Sequence, residues 1–444
     1  MSPDQEYVMK TVESRDVHFV RFWFVDVMGR IKSFAVNPNE LEGAFEEGMG
    51  FDAGYIDGLS VSGERDMLAH PDASTFQVLP WRPDSNAVAR MFCDIRTPDG
   101  GECPGDSRKI LERVVAGISE EGFVANVGPE VEYFYFTDSH NAELLDHGGY
   151  FDLTELDSGT DLRRDTVLAL EKMGVPVEYS HHEAGPSQHE IDLRHSDACS
   201  MADAVVTYKT VVKEIASSHG VYASFMPRPR ADCPGSGMHV HMSLFDHDDR
   251  NVFFDPQDEG GFNLSGTARH FIAGLLAYAP QYCLVTNQYV NSYRRLAGGA
   301  DAPFALGWGR SNRHTLVSVP GYRPNKQAGC RVELRLPDPA CNPYLAFAAI
   351  LSAGMRGIRD EMPLDPPLQD TLLDPAGGSG RGTDGLRLPE TLGDAIRYFE
   401  ESDFMREVLG EKVHAYLVEV KKREWREYLC EVGQWERDRW MEVL

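Results

Sequence analysis

Gly128-Pro-Glu130-Val-Glu132-Tyr-Phe-Tyr-Phe136 alternates acid with apolar residue before running into aromatics. Gly235-Ser-Gly-Met-His239-Val-His241-Met-Ser243-Leu and Arg331-Val-Glu333-Leu-Arg335-Leu-Pro repeat the pattern with imidazoles and guanidiniums. Side chains at i, i+2 and i+4 of a strand share one face. The intervening Val, Met, Tyr and Leu suit the other face to burial. A face of Glu-Glu, His-His-Ser and Arg-Glu-Arg is not an ordinary solvent face of Lys, Thr and Gln. If these strands share one sheet, their polar faces line one cavity equipped for divalent metals and a phosphorylated substrate.

The surrounding chain supports an α+β reading. His18–Asp26 alternates like a strand, Met28-Gly-Arg is a turn, Ile31–Val36 is a second strand, and Asn39–Glu47 is a short amphipathic helix. Asp99-Gly-Gly-Glu-Cys-Pro-Gly105 is a cluster of breakers, which divides the chain at about residue 100 into a unit of 1–100 and one of 101–444. A capped helix follows from Asp106 or Ser107 to Gly122. Further helices are expected at 161–173, 201–218 and 265–280 and from Asn342-Pro343 onward, with strand 131–136 between them. Residues 363–388, rich in Pro, Gly and Asp, read as a mobile surface loop, and about 390–436 as helical.

Composition sets limits. With 444 residues and 42% apolar content the chain can bury a sizeable core. A net charge of −27 opposes a sequence-independent grip on nucleic acid and docking on anionic lipid. The eight cysteines include no C-x-x-C pair, the N-terminus lacks an apolar signal region, and no run of 18 apolar residues occurs. These features predict a protein of the reducing cytoplasm, without membrane or nucleic-acid partners.

Like charges at Glu130 and Glu132 repel unless a cation neutralises them; the alternative is an exposed edge strand. His181-His-Glu183-Ala-Gly-Pro-Ser-Gln-His-Glu190 adds two carboxylates near turn residues. Oxygen-rich sites with one imidazole suit Mg²⁺ or Mn²⁺ better than Zn²⁺ or Cu²⁺. Glu130, Glu132, Glu183, Glu190, Glu333 and His239 suffice for two such ions. Metals beside arginines are what phosphoryl transfer requires. Taken alone, Arg294, Arg295 and Arg313 read as surface ion pairs. Arg331 and Arg335 flank Glu333 on one face and read as site residues. There is no P-loop and no convincing nucleophile constellation.

These blocks, in this order, resemble glutamine synthetases of the bacterial type I family. The likeness also includes Gly50-Phe-Asp52, Gly149-Tyr150-Phe, Asn291-Ser-Tyr-Arg-Arg-Leu296 and Asp338-Pro-Ala-Cys-Asn-Pro-Tyr-Leu345, and it spans nearly the whole chain. The resemblance implies a β-grasp N-terminal domain, a catalytic domain with a funnel-shaped antiparallel partial barrel surrounded by helices, and a homo-oligomer of two hexameric rings with sites between subunits. It implies ATP as substrate and two Mg²⁺ or Mn²⁺ ions. Glu132, Glu183 and Glu190 match ligands of the first, and Glu130, His239 and Glu333 those of the second. Gly235, Arg295 and Arg335 match residues that hold glutamate. His241, Ser243 and Arg331 match nucleotide contacts, and Arg313 a phosphate-handling arginine. Asp52 (from the neighbouring subunit), Tyr150, Glu183 and Asp301 match the pocket of the acceptor amine.

The departures from the pattern cluster at that pocket. Phe-Asp-Gly-Ser-Ser is here Phe51-Asp52-Ala-Gly-Tyr55, the flap glutamate is Asp301, and flap bulk is replaced by Gly298 and Ala300. A shortened lid acid enlarges the pocket, and Tyr55 offers an aromatic face to an organic cation. The expected reaction activates the γ-carboxylate of glutamate as an acyl phosphate. The expected acceptor is an organic amine, such as a polyamine or ethanolamine, in preference to ammonium. Pro234 and Ser318 replace a family Asn and Arg, and loss of that arginine leaves a non-catalytic regulatory homologue as the reading from another class.

Overall fold

The computed structural model describes residues 1–444 except 61–64, 299–301, 304, 311, 313, 324–325 and 369–386. Asp301, Ala300, Arg313 and most of the 363–388 segment therefore lie outside the described residues. Residues 362–368 are pinned. The Met362 carbonyl accepts from His270, and the Leu368 N–H donates to the Trp308 carbonyl at 2.8 Å.

The N-terminal unit begins with helix α1 (Pro3–Ser14) and strands β1 (Val17–Val25) and β2 (Ile31–Val36). Helix α2 (Leu41–Glu47) and strands β3 (Met49–Asp52), β4 (Asp66–Pro71), β5 (Gln77–Val78) and β6 (Ala87–Arg96) complete it. The sheet order is β2-β1-β6-β4-β3, with β1 and β6 parallel and β1–β2 an antiparallel hairpin. One face packs its own core through Val20, Phe22 and Phe24, while Trp23, Val25 and Val27 join the large core of the rest of the molecule. The hairpin tip needs Gly29. Its φ is +80°, and a Cβ there would lie 2.9 Å from Cα of Asn342. Asn342 in turn caps helix α8 (below) and donates to the carbonyls of Asp26 and Val27, each at 3.2 Å.

The larger sheet follows α3 (Ser107–Glu120). It comprises β7 (Phe123–Phe136), β8 (Val177–His182), β9 (Gln188–Leu193), β10 (Ser196–Asp197), β11 (Tyr222–Ser224), β12 (Met238–Asp246), β13 (Ala305–Gly309), β14 (Thr315–Ser318) and β15 (Val332–Leu334). Its main path is β13-β14-β15-β12-β7-β9-β8. Helices α4 (Thr160–Lys172), α5 (Ala198–Ser218), α6 (Gly266–Thr286), α7 (Val290–Gly298) and α8 (Pro343–Arg359) come from the segments around these strands. Of these, α6 packs closely on α8: a Cβ at Gly274 would lie 2.2 Å from the Ala353 carbonyl oxygen. Helices at Leu392–Glu400, Asp403–Leu409, Glu411–Cys430 and Gln434–Trp440 form the tail. None of the described helices is long and apolar enough to cross a membrane.

Two elements outrun their sequence signals. Strand β7 begins at Phe123 rather than 131 because β12 pairs along its whole length, Ser243 opposite Asn126 and Phe245 opposite Val124. Helix α6 runs through Pro280 to Thr286. An internal proline costs about 3 kcal/mol, but Tyr282, Cys283, Leu284 and Val285 beyond it are all buried, and each such side chain returns roughly 1.5–3 kcal/mol. Of the cysteines, Cys430 is exposed and Cys199 half-buried, and all are free thiols.

Candidate active site

The three alternating strands are adjacent. In the antiparallel ladders His239 lies opposite Glu130, and His241 opposite Glu333. Glu132 lies opposite Glu190 on β9, which faces His181 on β8. Register alone therefore gathers the acids and imidazoles on one face of one sheet.

Glu130, His239 and Glu333 bring ligand atoms within 4.8 Å of one another. Nδ1 of His239 lies 3.5 Å from Glu130 Oε2 and 3.6 Å from Glu333 Oε1. These separations exceed a good N–H···O hydrogen bond. They approach the roughly 3 Å between neighbouring donors on an octahedral ion with bonds of about 2.1 Å. The donor set fits a hard divalent cation. A second group joins His181, Glu183 and Glu190, with His181 3.8 Å from Glu183 and 3.7 Å from Glu190. Glu132 stands beside it in the ladder, but one of its oxygens accepts from Gln188 Nε2 and the Gly237 N–H, both at 2.9 Å.

Burial and mutual repulsion shape the charges of these acids. Burial and the Glu183 carboxylate push Glu132 up to about 8. Burial, then Asp192 and Glu132, push Glu190 well above the usual range. Asp192 rises to about 6 through burial and Glu130. Around the other cluster, burial would raise Glu130, but the neighbouring His239 and His241 imidazoles outweigh it and hold it low. Glu333 is likewise lowered on balance, with burial opposed by His241, Arg335 and His239. A cation among Glu132, Glu183 and Glu190 would relieve their repulsion.

Arg335 donates through Nη1 to Glu333 at 2.7 Å, while its Nε is buried without a partner among the described residues. An orphaned guanidinium N–H is costly unless an anion completes it. Arg295 is 3% exposed and already committed. It donates to the carbonyls of Leu336 at 2.8 Å, Pro337 at 3.2 Å and Arg335 at 3.1 Å. It thus clamps the loop bearing Arg335. Gly235 and Gly237 permit this close packing: a Cβ on either would lie 2.7 Å from an Arg295 side-chain atom.

Beside the clusters a cavity of about 450 Å³ is lined by Glu130, Asp192, His241, Ser243, Tyr322 and Arg331. His241 Nε2 lies 2.6 Å from Glu130, and Arg331 Nε donates to His241 Nδ1 at 3.2 Å. Ser318 of β14 stands opposite Glu333.

Tyr150 stacks on Phe151 at 4.1 Å and meets the His181 ring edge-on at 5.3 Å, beside Glu183. Asp52 and Tyr55 lie instead in the N-terminal unit. Asp52 pairs with Arg65 at 3.0 Å and accepts from the Gly54 N–H at 2.7 Å. The Arg65 guanidinium also sits 5.5 Å from the centre of the Tyr55 ring, which stays 87% exposed.

Several contributors were not singled out in the sequence. Gln188, 1% exposed, links Glu132 to the Gly235 carbonyl at 3.0 Å and accepts from the Gly185 N–H at 3.1 Å. His182 lies 2.7 Å from the Glu183 carbonyl and 3.0 Å from Asp146. Both ring nitrogens face acceptors, which favours the doubly protonated ring. Burial opposes this, but Asp146 outweighs it and the His182 pKa is raised. The alternation Gln188-His-Glu190-Ile-Asp192 was the available signal, since those three side chains share a strand face.

Comparison with known proteins places the chain. The family model described as glutamine synthetase, catalytic domain, matches residues 104–440, and the one described as glutamine synthetase, beta-Grasp domain, matches 16–98. The glutamine synthetase of Mycolicibacterium smegmatis is 48% identical over 442 residues, 98% of each chain. That of Methanosarcina mazei is 45% identical over 445 residues, 99% of this chain and 98% of its own. Among solved structures, GmaS in complex with ADP superposes with a TM-score of 0.87 at 28% identity, covering 98% of this chain and 99% of that one.

Proposed function

The chain belongs to the glutamine synthetase family of ATP-dependent, C–N bond-forming ligases that use divalent metal ions, and from that premise we propose that it joins the γ-carboxylate of L-glutamate to an organic amine. The observation that carries the amine reading is the Asp52–Arg65 pair. An ammonium ion needs an uncommitted carboxylate. Both oxygens of Asp52 are engaged, one by Arg65 Nη2 and the other by the Gly54 N–H. Recognition of the acceptor then falls to groups that also suit an apolar substituent, Tyr55 and Tyr150 among them. The sequence agrees: Asp301 is one methylene shorter than the family's flap glutamate, and Gly298 and Ala300 remove bulk beside it.

The chemistry follows from the residues. A carboxylate is a poor electrophile until phosphorylation supplies a leaving group. Mg²⁺ or Mn²⁺ ions, held by Glu130, His239 and Glu333 and by Glu132, Glu183 and Glu190, would supply neutralisation of the phosphate charge. His241, Ser243 and Arg331 would line the nucleotide, with Arg313 at the transferring phosphate. Arg335 and the Gly235 backbone would hold glutamate, and Arg295 would fix the loop carrying Arg335. The glutamate γ-oxygen attacks the γ-phosphorus of ATP and ADP departs. The amine nitrogen then attacks the acyl carbon, phosphate departs, and the nitrogen's proton passes to a carboxylate of the acceptor pocket, Glu183 or Asp301. Such sites in a ring assembly of twelve subunits would draw Asp52 from a neighbour.

Phosphate release with glutamate, ATP and a panel of polyamines, ethanolamine and ammonium tests the acceptor. Turnover with an organic amine should exceed that with ammonium. Faster turnover with ammonium than with every organic amine would return the protein to the second reading, glutamine synthesis, which the 48% identity to a glutamine synthetase favours. Hydroxamate formation from glutamate and hydroxylamine, lost in Glu333→Ala, excludes a purely regulatory homologue.

A further inference from the structure

One cavity, away from the metal clusters, has no part in this reaction. It encloses about 750 Å³ between the tip of the β1–β2 hairpin, the second half of α5, β11 with the loop after it, and the start of α7. Such a volume suits a small organic molecule. Its walls carry Met28, Ile31, Phe225 and Tyr289, with Lys209 and Lys213 on the α5 side. The cavity is basic within a chain of net charge −27. Its one carboxylate side chain, Glu214, is engaged 3.4 Å from Arg82, and Arg30 is paired with Asp57 at 3.2 Å. Neither Lys209 nor Lys213 has a carboxylate partner among the described residues. Lys209 donates to the carbonyls of Pro339 at 3.0 Å and Cys341 at 3.3 Å, which leaves one of its three N–H groups. The surrounding protein strips this ammonium of solvent and pushes it down to about 8. Lys213 stands at the mouth with its Nζ 5.6 Å from the centre of the Phe225 ring.

The walls are also the backs of the loops that face glutamate. Pro227, in the lining, accepts from the Ser236 N–H at 2.7 Å, directly beneath Gly235. Asn291, also in the lining, clamps residue 228 through both its N–H and carbonyl and opens the helix that carries Arg295. Pro339 and Ala340 follow the Pro337 carbonyl to which Arg295 donates.

We propose that this cavity binds a small organic anion with an aromatic or aliphatic body, held by Lys209 and Lys213, and that its occupancy alters the affinity for glutamate. The second half rests on the reading of Gly235, Arg295 and Arg335 as the glutamate-holding set; the binding half does not.

The probe is 8-anilinonaphthalene-1-sulfonate, an aromatic anion, titrated by fluorescence into the full-length protein with MgADP in excess. Saturable binding is expected. Lys213→Glu, at an exposed position, should weaken it about tenfold, since an attraction becomes a repulsion of similar size. Ser217→Trp, which narrows the cavity without changing its charge, should weaken it too. Saturating probe should change KM for glutamate in hydroxamate formation about threefold in the wild type and not in Lys213→Glu, a shift of about 0.7 kcal/mol. Equal probe affinity in wild type and both variants, or displacement of the probe by MgADP, overturns the site. An unchanged KM at saturating probe overturns the coupling. A protein that forms no hydroxamate refutes the ligase reading, and the fluorescence comparison still decides the site.

Discussion

Gln188→Leu tests whether the second layer of the site governs its metals. The carboxamide donates to Glu132 at 2.9 Å and to the Gly235 carbonyl at 3.0 Å, and it accepts from the Gly185 N–H at 3.1 Å. Leucine fills most of the space but supplies none of these bonds. Glu132 keeps the Gly237 N–H at 2.9 Å, so it is loosened rather than stranded. The Gly185 N–H and the Gly235 carbonyl lose this partner, and buried groups left unsatisfied cost about 1–3 kcal/mol each. The metal-free protein should therefore lose about 2–5 kcal/mol of stability. Removing a group that orients a ligand weakens metal binding about 10- to 100-fold. At Mn²⁺ equal to 100 wild-type dissociation constants, the metal stabilises the wild type by about 2.7 kcal/mol and the variant by only about 0.4–1.4 kcal/mol. Thermal unfolding in EDTA and in Mn²⁺ separates the two losses. The EDTA scan reports the lost hydrogen bonds, and the difference between scans reports the metal. A variant with a lowered melting temperature in EDTA but an undiminished rise on adding Mn²⁺ would show that Gln188 is only a packing residue.

The raised carboxylates make metal binding pH-dependent. Glu132, pushed up to about 8, and Glu190, pushed well above the usual range, hold protons in the metal-free fold that they release in the unfolded chain at ordinary values near 4.5. The folded state then binds more protons, so stability in EDTA should fall as pH rises from about 4.5 toward 8. Metal must displace those protons, so Mn²⁺ affinity should rise over the same interval, and Glu132→Gln should flatten both trends; calorimetric titrations at pH 6, 7 and 8 report it. Arg65→Ser should release Asp52 and raise turnover with ammonium relative to organic amines in the phosphate-release assay. An unchanged ratio would remove the Asp52–Arg65 pair from the account of acceptor choice.

The strand-borne half of the site was legible because alternation is local. Glu130, Glu132, His239, His241, Arg331, Glu333 and Arg335 announce a shared polar face within a few residues of sequence. Register then does the rest, and register follows from which face must be buried. What escaped notice depends on contacts between distant segments. Pairing of β12 with the first half of β7 lengthens that strand to Phe123. Burial beyond Pro280 carries α6 past its expected end. Gln188 reads as an unremarkable polar residue until β9 proves buried along its whole length, and His182 until the end of β8 proves buried too; only then must each find partners.

That difference explains why acceptor choice is the hard part of this molecule. A metal ligand on a central strand is fixed by two neighbouring strands, as Glu130 is between His239 and Asp192. Asp52 sits at the end of a four-residue edge strand, paired on one side only, by β4. Its partner Arg65 comes from the next strand's approach, not from any spacing that a sequence motif records. A single change at position 65 can therefore redirect Asp52 without disturbing the metal clusters. This separates evolution of the acceptor from preservation of glutamate activation, and it makes the Arg65→Ser comparison a test of the loop-borne half alone. Mn²⁺ affinity should stay as in the wild type while the amine-to-ammonium ratio moves. If both shift together, the two halves are coupled, and the independence argued from their placement in the sheets is wrong.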